Sequence, residues 1–103
     1  MYRHQYRCQV LYGHFRQFMD ICREISALEA DRGWAVSSLW TPTVGPGNEA
    51  VILAEYPSLE TFERERKQRY ADVEFMKLAR QAAELAAQGT LRDELLEQVP
   101  DLA

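Results

Sequence analysis

One short stretch, "GNEAVILAEYPS" at 47–58, limits what this chain can become more than any other. It sets five apolar residues in a row, Ala50 to Ala54, between a glycine turn and Pro57. As an extended strand it points Ala50, Ile52 and Ala54 to one side and Val51 and Leu53 to the other. A sheet with one wet face alternates apolar and polar residues. This segment does not, so both of its sides call for cover.

The flanking segments supply partners. Residues 2–11, "YRHQYRCQVL", place Tyr2, His4, Tyr6, Cys8 and Val10 on one side and Arg3, Gln5, Arg7 and Gln9 on the other, the period of a strand. Phe15, Phe18, Met19, Cys22, Ile25 and Ser26, continued by Leu28 and Glu29, recur every three or four residues and predict an amphipathic helix that Gly33 stops. "WAVSSLWT" (34–41) reads as a second strand, with Trp34 and Trp40 on one side and Leu39 on the other. "PTVGPGN" (42–48) is a turn.

Beyond Pro57, Ser58 is a good N-cap for a helix from 59 to about 70, expected to bury Leu59, Phe62 and Tyr70. Its charge run "ERERKQR" (63–69) reads as a solvated face, with Glu63–Lys67 and Glu65–Arg69 at supporting spacing. Asp72 can cap a further helix carrying Phe75, Leu78, Ala79, Ala82, Leu85 and Ala86 along one stripe, with Gly89 as its stop. "TLRDELLEQV" (90–99) fits a short helix or a strand equally well by periodicity.

This order is the βαββαβ ferredoxin-like pattern of an α+β domain: an antiparallel sheet with its helices on one face, because both crossovers take the same hand. The 103 residues make one such domain. The opposite face then lacks cover from its own chain, yet Val51, Leu53 and Leu39 are expected there. Burying each would contribute on the order of 2 kcal/mol. Left wet, they form an apolar patch of the kind that marks an interface. A homodimer with two sheets face to face is the economical solution, and a C-terminal tail folded across the face is the alternative. Arg3, Arg7 and Glu55 fall on this same side, where a charge pair would fix register or bridge subunits.

Composition removes several function classes. The net charge of −4, with both signs interleaved, disfavours nucleic acid, which asks for a basic patch. No apolar run nears the roughly 18 residues of a membrane span. The start, "MYRHQYR", lacks a signal-peptide core, which points to the cytoplasm. Cys8 and Cys22 lie in apolar patterns and read as reduced core residues.

Several stretches bear a family likeness: "VLYGHFRQFM" (10–19), the Gly33-Trp34 lead into the second strand, "NEAVILAEYPSLETFERER" (48–66), "YADVEFMKLA" (70–79) and "LLEQVP" (95–100). Together they resemble NIPSNAP-type domains of the dimeric α/β-barrel superfamily, the group that includes antibiotic-biosynthesis monooxygenases. The resemblance covers nearly the whole chain. It implies that 90–99 is a strand and that two copies associate. The superfamily includes monooxygenases that work without a metal or flavin, and no cofactor is expected here. Haem-degrading members of the superfamily need an Asn on the first strand and a Trp and a His on the second helix. Here the first strand has no Asn, and Leu59 to Gln88 holds neither Trp nor His.

Two constellations carry possible chemistry. His4, Tyr6, Trp34, Trp40 and Tyr56 would line a pocket between sheet and helices if their sides coincide. A cofactor-independent monooxygenase or isomerase needs such a dry pocket, with His4 as the base for a phenolic substrate and indole or phenol donors for the anion. The plainer reading makes these aromatics core, in a non-enzymatic protein that holds a small apolar or aromatic molecule or a partner protein. Arg3, Arg7, Gln5, Gln9 and Glu55 form the second group, at the inter-sheet side. His4 and His14 lie too far apart, with no matching acids, to make a metal site. "GPGN" lacks the backbone donors of a phosphate loop.

Overall fold

The structure is a computed structural model that describes residues 1–102. Its elements are β1 (Tyr2–Gln9), α1 (Phe15–Arg32), β2 (Ser38–Trp40), β3 (Glu49–Tyr56), α2 (Leu59–Ala71), α3 (Val73–Glu84) and β4 (Arg92–Glu97). The strands form one antiparallel sheet in the order β2-β3-β1-β4, which is the ferredoxin-like arrangement. The ambiguous segment near the C-terminus is therefore a strand: β1 supplies the ladder that periodicity alone could not reveal. Among the described residues no helix is long and apolar enough to cross a membrane.

Local chemistry sets the helix ends. Gly33 adopts φ 75° and returns its N–H to the carbonyl of Ala30 at 3.2 Å, closing α1 with the left-handed residue that glycine tolerates best. Ser58 accepts from the N–H of Thr61 at 3.1 Å at the start of α2. Asp72 ends α2 and begins α3, its Oδ1 accepting from the N–H of Phe75 at 2.9 Å and its Oδ2 from Arg32 Nε at 2.9 Å. That backbone hydrogen bond, with help from Arg32, holds the Asp72 carboxyl below the usual aspartate range. The α3 helix stops at Glu84, short of Gly89, where the chain beyond it pairs with the end of β1 and the residues after it: Ala87 donates to Gln9 O at 2.7 Å, and Leu11 donates to Leu85 O at 2.7 Å.

The second strand departs from the expectation in length and in phase. Residues 34–37 are not strand. Two of their backbone donors go instead to helix carboxylates, Ala35 N–H to Glu65 at 2.7 Å and Ser37 N–H to Glu29 at 2.9 Å, and Trp34 N–H goes to the Glu29 carbonyl at 2.9 Å. Leu39 lies opposite Ile52, while Trp40 lies opposite Val51 and Ser38 opposite Leu53. Leu39 therefore packs under the helices against the core, and Trp40 stands on the open face, the reverse of the sequence reading. Alternation tells which residues share a side, but only the pairing register tells which side it is.

The tightest core is Cys8, Val10, Phe18, Ile21, Cys22, Ala50, Ala82 and Leu85. It sits where β1 ends and β3 begins, so the other half of the covered sheet lies outside it.

Candidate functional site

Beside that core, between the covered face of the sheet and the three helices, is a cavity of about 510 Å³. Its floor is His4, Tyr6 and Cys8 of β1, Ile52, Ala54 and Tyr56 of β3, and Asp93 and Leu95 of β4. These residues share a side because each pair stands in register: Tyr2 with Tyr56, His4 with Ala54, Tyr6 with Ile52, and on the other flank His4 with Leu95 and Tyr6 with Asp93. The roof over much of it is Met76, Ala79, Ala82, Ala83 and Ala86. Methyl groups at four of those positions reach little of the way to the sheet, which leaves the hollow.

One wall is a buried ionic cluster. Glu29, Glu65 and Arg69 are only 2%, 6% and 8% exposed. Arg69 donates to Glu29 Oε2 through Nε at 3.1 Å and Nη2 at 2.9 Å, donates to Ala35 O at 2.8 Å, and pairs with Glu65 at 3.5 Å. Ser37 Oγ also donates to Glu29, at 3.1 Å. Aromatic rings close round the guanidinium, with centroids at 5.2 Å for Trp34, 5.8 Å for Phe75 and 5.9 Å for Tyr56. Among the described residues no buried side-chain polar atom lacks a partner, so the cluster is satisfied throughout. The solvated-face reading of "ERERKQR" is thus corrected at Glu65 and Arg69, whereas Leu59 and Tyr70, expected inside, are exposed. The signal was present in α1: Glu29 continues the Phe18, Cys22, Ile25 stripe, where a carboxylate must find a buried cation.

Of the five aromatic and imidazole candidates, the fold brings three to the cavity. His4 Nε2 lies 2.5 Å from Asp93 Oδ1, and its ring centroid is 5.4 Å from that of Phe62. Tyr6 lines the floor, where burial pushes its phenol above the usual tyrosine range. Tyr56 is buried, edge-on to Phe62 at 5.2 Å; burial raises its phenol too, against the opposing pull of Arg69. The two tryptophans do not join them. Trp34 donates its indole N–H to Gln68 at 2.8 Å and packs edge-on to Phe75, outside the lining. Trp40 is 58% exposed on the open face, its indole donating to Ser38 Oγ at 2.8 Å. Asp93 was missed, because it lies in the segment whose secondary structure the pattern left open.

On the open face Arg3 meets Glu55 at 3.9 Å, directly across the ladder, and Arg7 meets Glu49 at 3.2 Å. Val51 and Leu53 stand half-buried between them. Cys8 and Cys22 are free, buried thiols, and burial pushes Cys22 up to about 12, leaving it unreactive. His14 is exposed, with Nδ1 3.3 Å from Gln17 Oε1. Among the described residues no three His, Cys, Asp or Glu side chains gather as metal ligands.

The chain is similar to several known proteins. The NIPSNAP family model matches residues 9–101. An uncharacterized NIPSNAP domain protein from Burkholderia xenovorans superposes with a TM-score of 0.78 at 15% identity, covering 100% of this chain and 99% of that one. A NIPSNAP family protein from Agrobacterium tumefaciens gives 0.78 at 14% identity, covering 97% and 94%. A structure described as an antibiotic biosynthesis monooxygenase gives 0.74 at 15% identity, covering 97% and 100%. At these identities the likeness speaks for the fold alone. None of the curated proteins matches the chain.

Proposed function

The chain belongs to the NIPSNAP family, and from that premise we propose that it acts as a homodimer holding a small apolar or aromatic molecule beneath its helices. The observation that carries the reading is the cavity itself. Its volume of about 510 Å³ falls within the range of small-molecule sites, roughly 300–1,000 Å³. Its lining is mostly hydrocarbon and aromatic, with a few polar groups that would orient a guest. The test is titration with the neutral fluorescent probe N-phenyl-1-naphthylamine. Emission should rise on binding to the native protein and stay flat with Ala79→Phe, which fills the space from α3. Absence of a rise with the native protein, or an equal rise with the variant, would refute the reading.

The open face supports the homodimer. Trp40, Val51, Leu53 and Leu96 give it an apolar band, and Trp40 and Leu96 are 58% and 42% exposed. Around them stand Arg3, Arg7 and Arg92 together with Glu49, Glu55 and Glu94. A two-fold axis brings this face against itself, and a face carrying both signs can oppose arginine to glutamate across the axis. A partner protein on the same face is the competing occupant, and light scattering of the purified chain separates the two. The buried, unpaired thiols suit a reducing compartment such as the cytoplasm.

A second reading is favoured by one contact. A cofactor-independent monooxygenase or isomerase for a small aromatic substrate would use His4 as its base, and His4 lies against Asp93 in the cavity floor. An Nε2–H donated to that carboxylate leaves the lone pair on Nδ1, the nitrogen that would take a phenolic proton. Oxygen uptake with a panel of quinols tests it: turnover by the native protein that His4→Ala abolishes supports the reading, and equal rates remove His4 from it.

A further inference from the structure

One charged side chain on the lining of the cavity makes no ion pair. Five lining residues can carry charge: His4, Glu29, Arg66, Arg69 and Asp93. Glu29 pairs with Arg69 Nη2 at 2.9 Å, and Glu65 pairs with Nη1 of the same guanidinium at 3.5 Å. His4 and Asp93 are partners at 2.5 Å. Arg66, one turn before Tyr70 on α2, makes no ion pair among the described residues. Its guanidinium lies 5.6 Å from the centroid of the Tyr70 ring. Both side chains are exposed, which puts them at the mouth, while Phe18 and Cys8 mark the sealed inner end.

We propose that the molecule held here is an apolar or aryl carboxylic acid, its hydrocarbon body lying along the sheet floor under the alanines and its carboxylate at the mouth against Arg66. The inference rests on the cavity being a binding site and adds the chemistry of the guest. Three features carry it. A guanidinium stacked on a ring keeps its N–H edge free, and that edge matches a carboxylate in two parallel hydrogen bonds. The Tyr6 hydroxyl supplies a further donor on the floor. Asp93, the lining carboxylate outside the Glu29–Arg69 cluster, is already held by His4. A cationic guest would meet an unpaired arginine, and a neutral guest would leave it in water.

The experiment compares three guests of one shape: 1-naphthylacetic acid, 1-naphthylacetamide and 2-(1-naphthyl)ethylamine. Each is titrated calorimetrically into the native protein, Arg66→Gln and Arg66→Lys. The acid should bind the native protein about fivefold more tightly than the amide, the size expected of a partly exposed bidentate pair. Arg66→Gln should remove that preference by weakening the acid alone, and Arg66→Lys should keep part of it. Unchanged amide binding in both variants shows that they remain folded. An acid no tighter than the amide, a preference for the amine, or a preference that survives Arg66→Gln overturns the proposal while leaving the cavity as a binding site. Failure of all three guests with the native protein overturns both.

Discussion

The two faces of this one sheet handle apolar and charged groups in opposite ways. Beneath the helices the charges are sealed in: Glu29, Arg69 and Glu65 are almost wholly out of water, and each finds partners. Beside that rigid cluster the packing is loose, because α3 meets the sheet with alanines and leaves about 510 Å³. On the open face the ion pairs stay wetter. Arg3 and Glu55 face each other at 3.9 Å with half of each side chain in water, around the apolar band of Trp40, Val51 and Leu53. A buried ion pair whose partners are fixed holds a fold in one arrangement, whereas a loose, exposed pair can exchange its partner for one on another chain. The covered face is thus suited to a small guest and the open face to a second copy.

Changes that treat the faces unequally test the contrast. Arg69→Ala should have the largest effect, costing about 3–5 kcal/mol in urea unfolding, because it strands two carboxylates away from water. A loss under about 1 kcal/mol would mean that the cluster is wetter than its burial indicates. Leu39→Glu and Leu53→Glu then form a matched pair, one on each face. The first should lower unfolding free energy by about 3 kcal/mol, since it buries a charge beside the core. The second should leave each chain folded and weaken self-association about a hundredfold, read by sedimentation. A soluble dimer of native affinity from Leu53→Glu would remove the second copy from the open face.

The smallest effect concerns pH. Asp72 is held below the usual aspartate range in the fold, so the unfolded chain binds its proton first as pH falls. Its contribution is complete above about pH 4, the unfolded value, and fades as pH drops through the lower folded value. Asp72→Asn, which can still cap α3, should flatten the acid limb of the stability profile without changing the neutral plateau by more than the loss of the Arg32 pair. An unchanged acid limb would show that Asp72 does not contribute to it.

Much of this was legible from residue order. The alternation of β1 placed His4 and Tyr6 on one side and Arg3 and Arg7 on the other, and the chain order gave the ferredoxin-like topology that the structure has. What escaped depended on contacts between segments. Whether 90–99 is a strand turned on pairing with β1, and with it went Asp93, the partner of His4. The side taken by Leu39 and Trp40 turned on a three-residue register with β3. The ionic cluster joins α1, α2 and the chain before β2, so in sequence Glu65 and Arg69 look like ordinary surface charge and only Glu29, on the apolar stripe of α1, hints at it.

The most direct test of the division of labour between the faces is one methyl NMR titration of alanine, leucine and valine groups, followed as 1-naphthylacetamide is added at constant protein concentration. Shifts should concentrate at Ala54, Ala79, Ala82 and Ala86, while Val51, Leu53 and Leu96 keep their positions. If the open-face methyls move and the alanines under α3 do not, the guest binds on the wrong side of the sheet and the assignment of the two faces is contradicted.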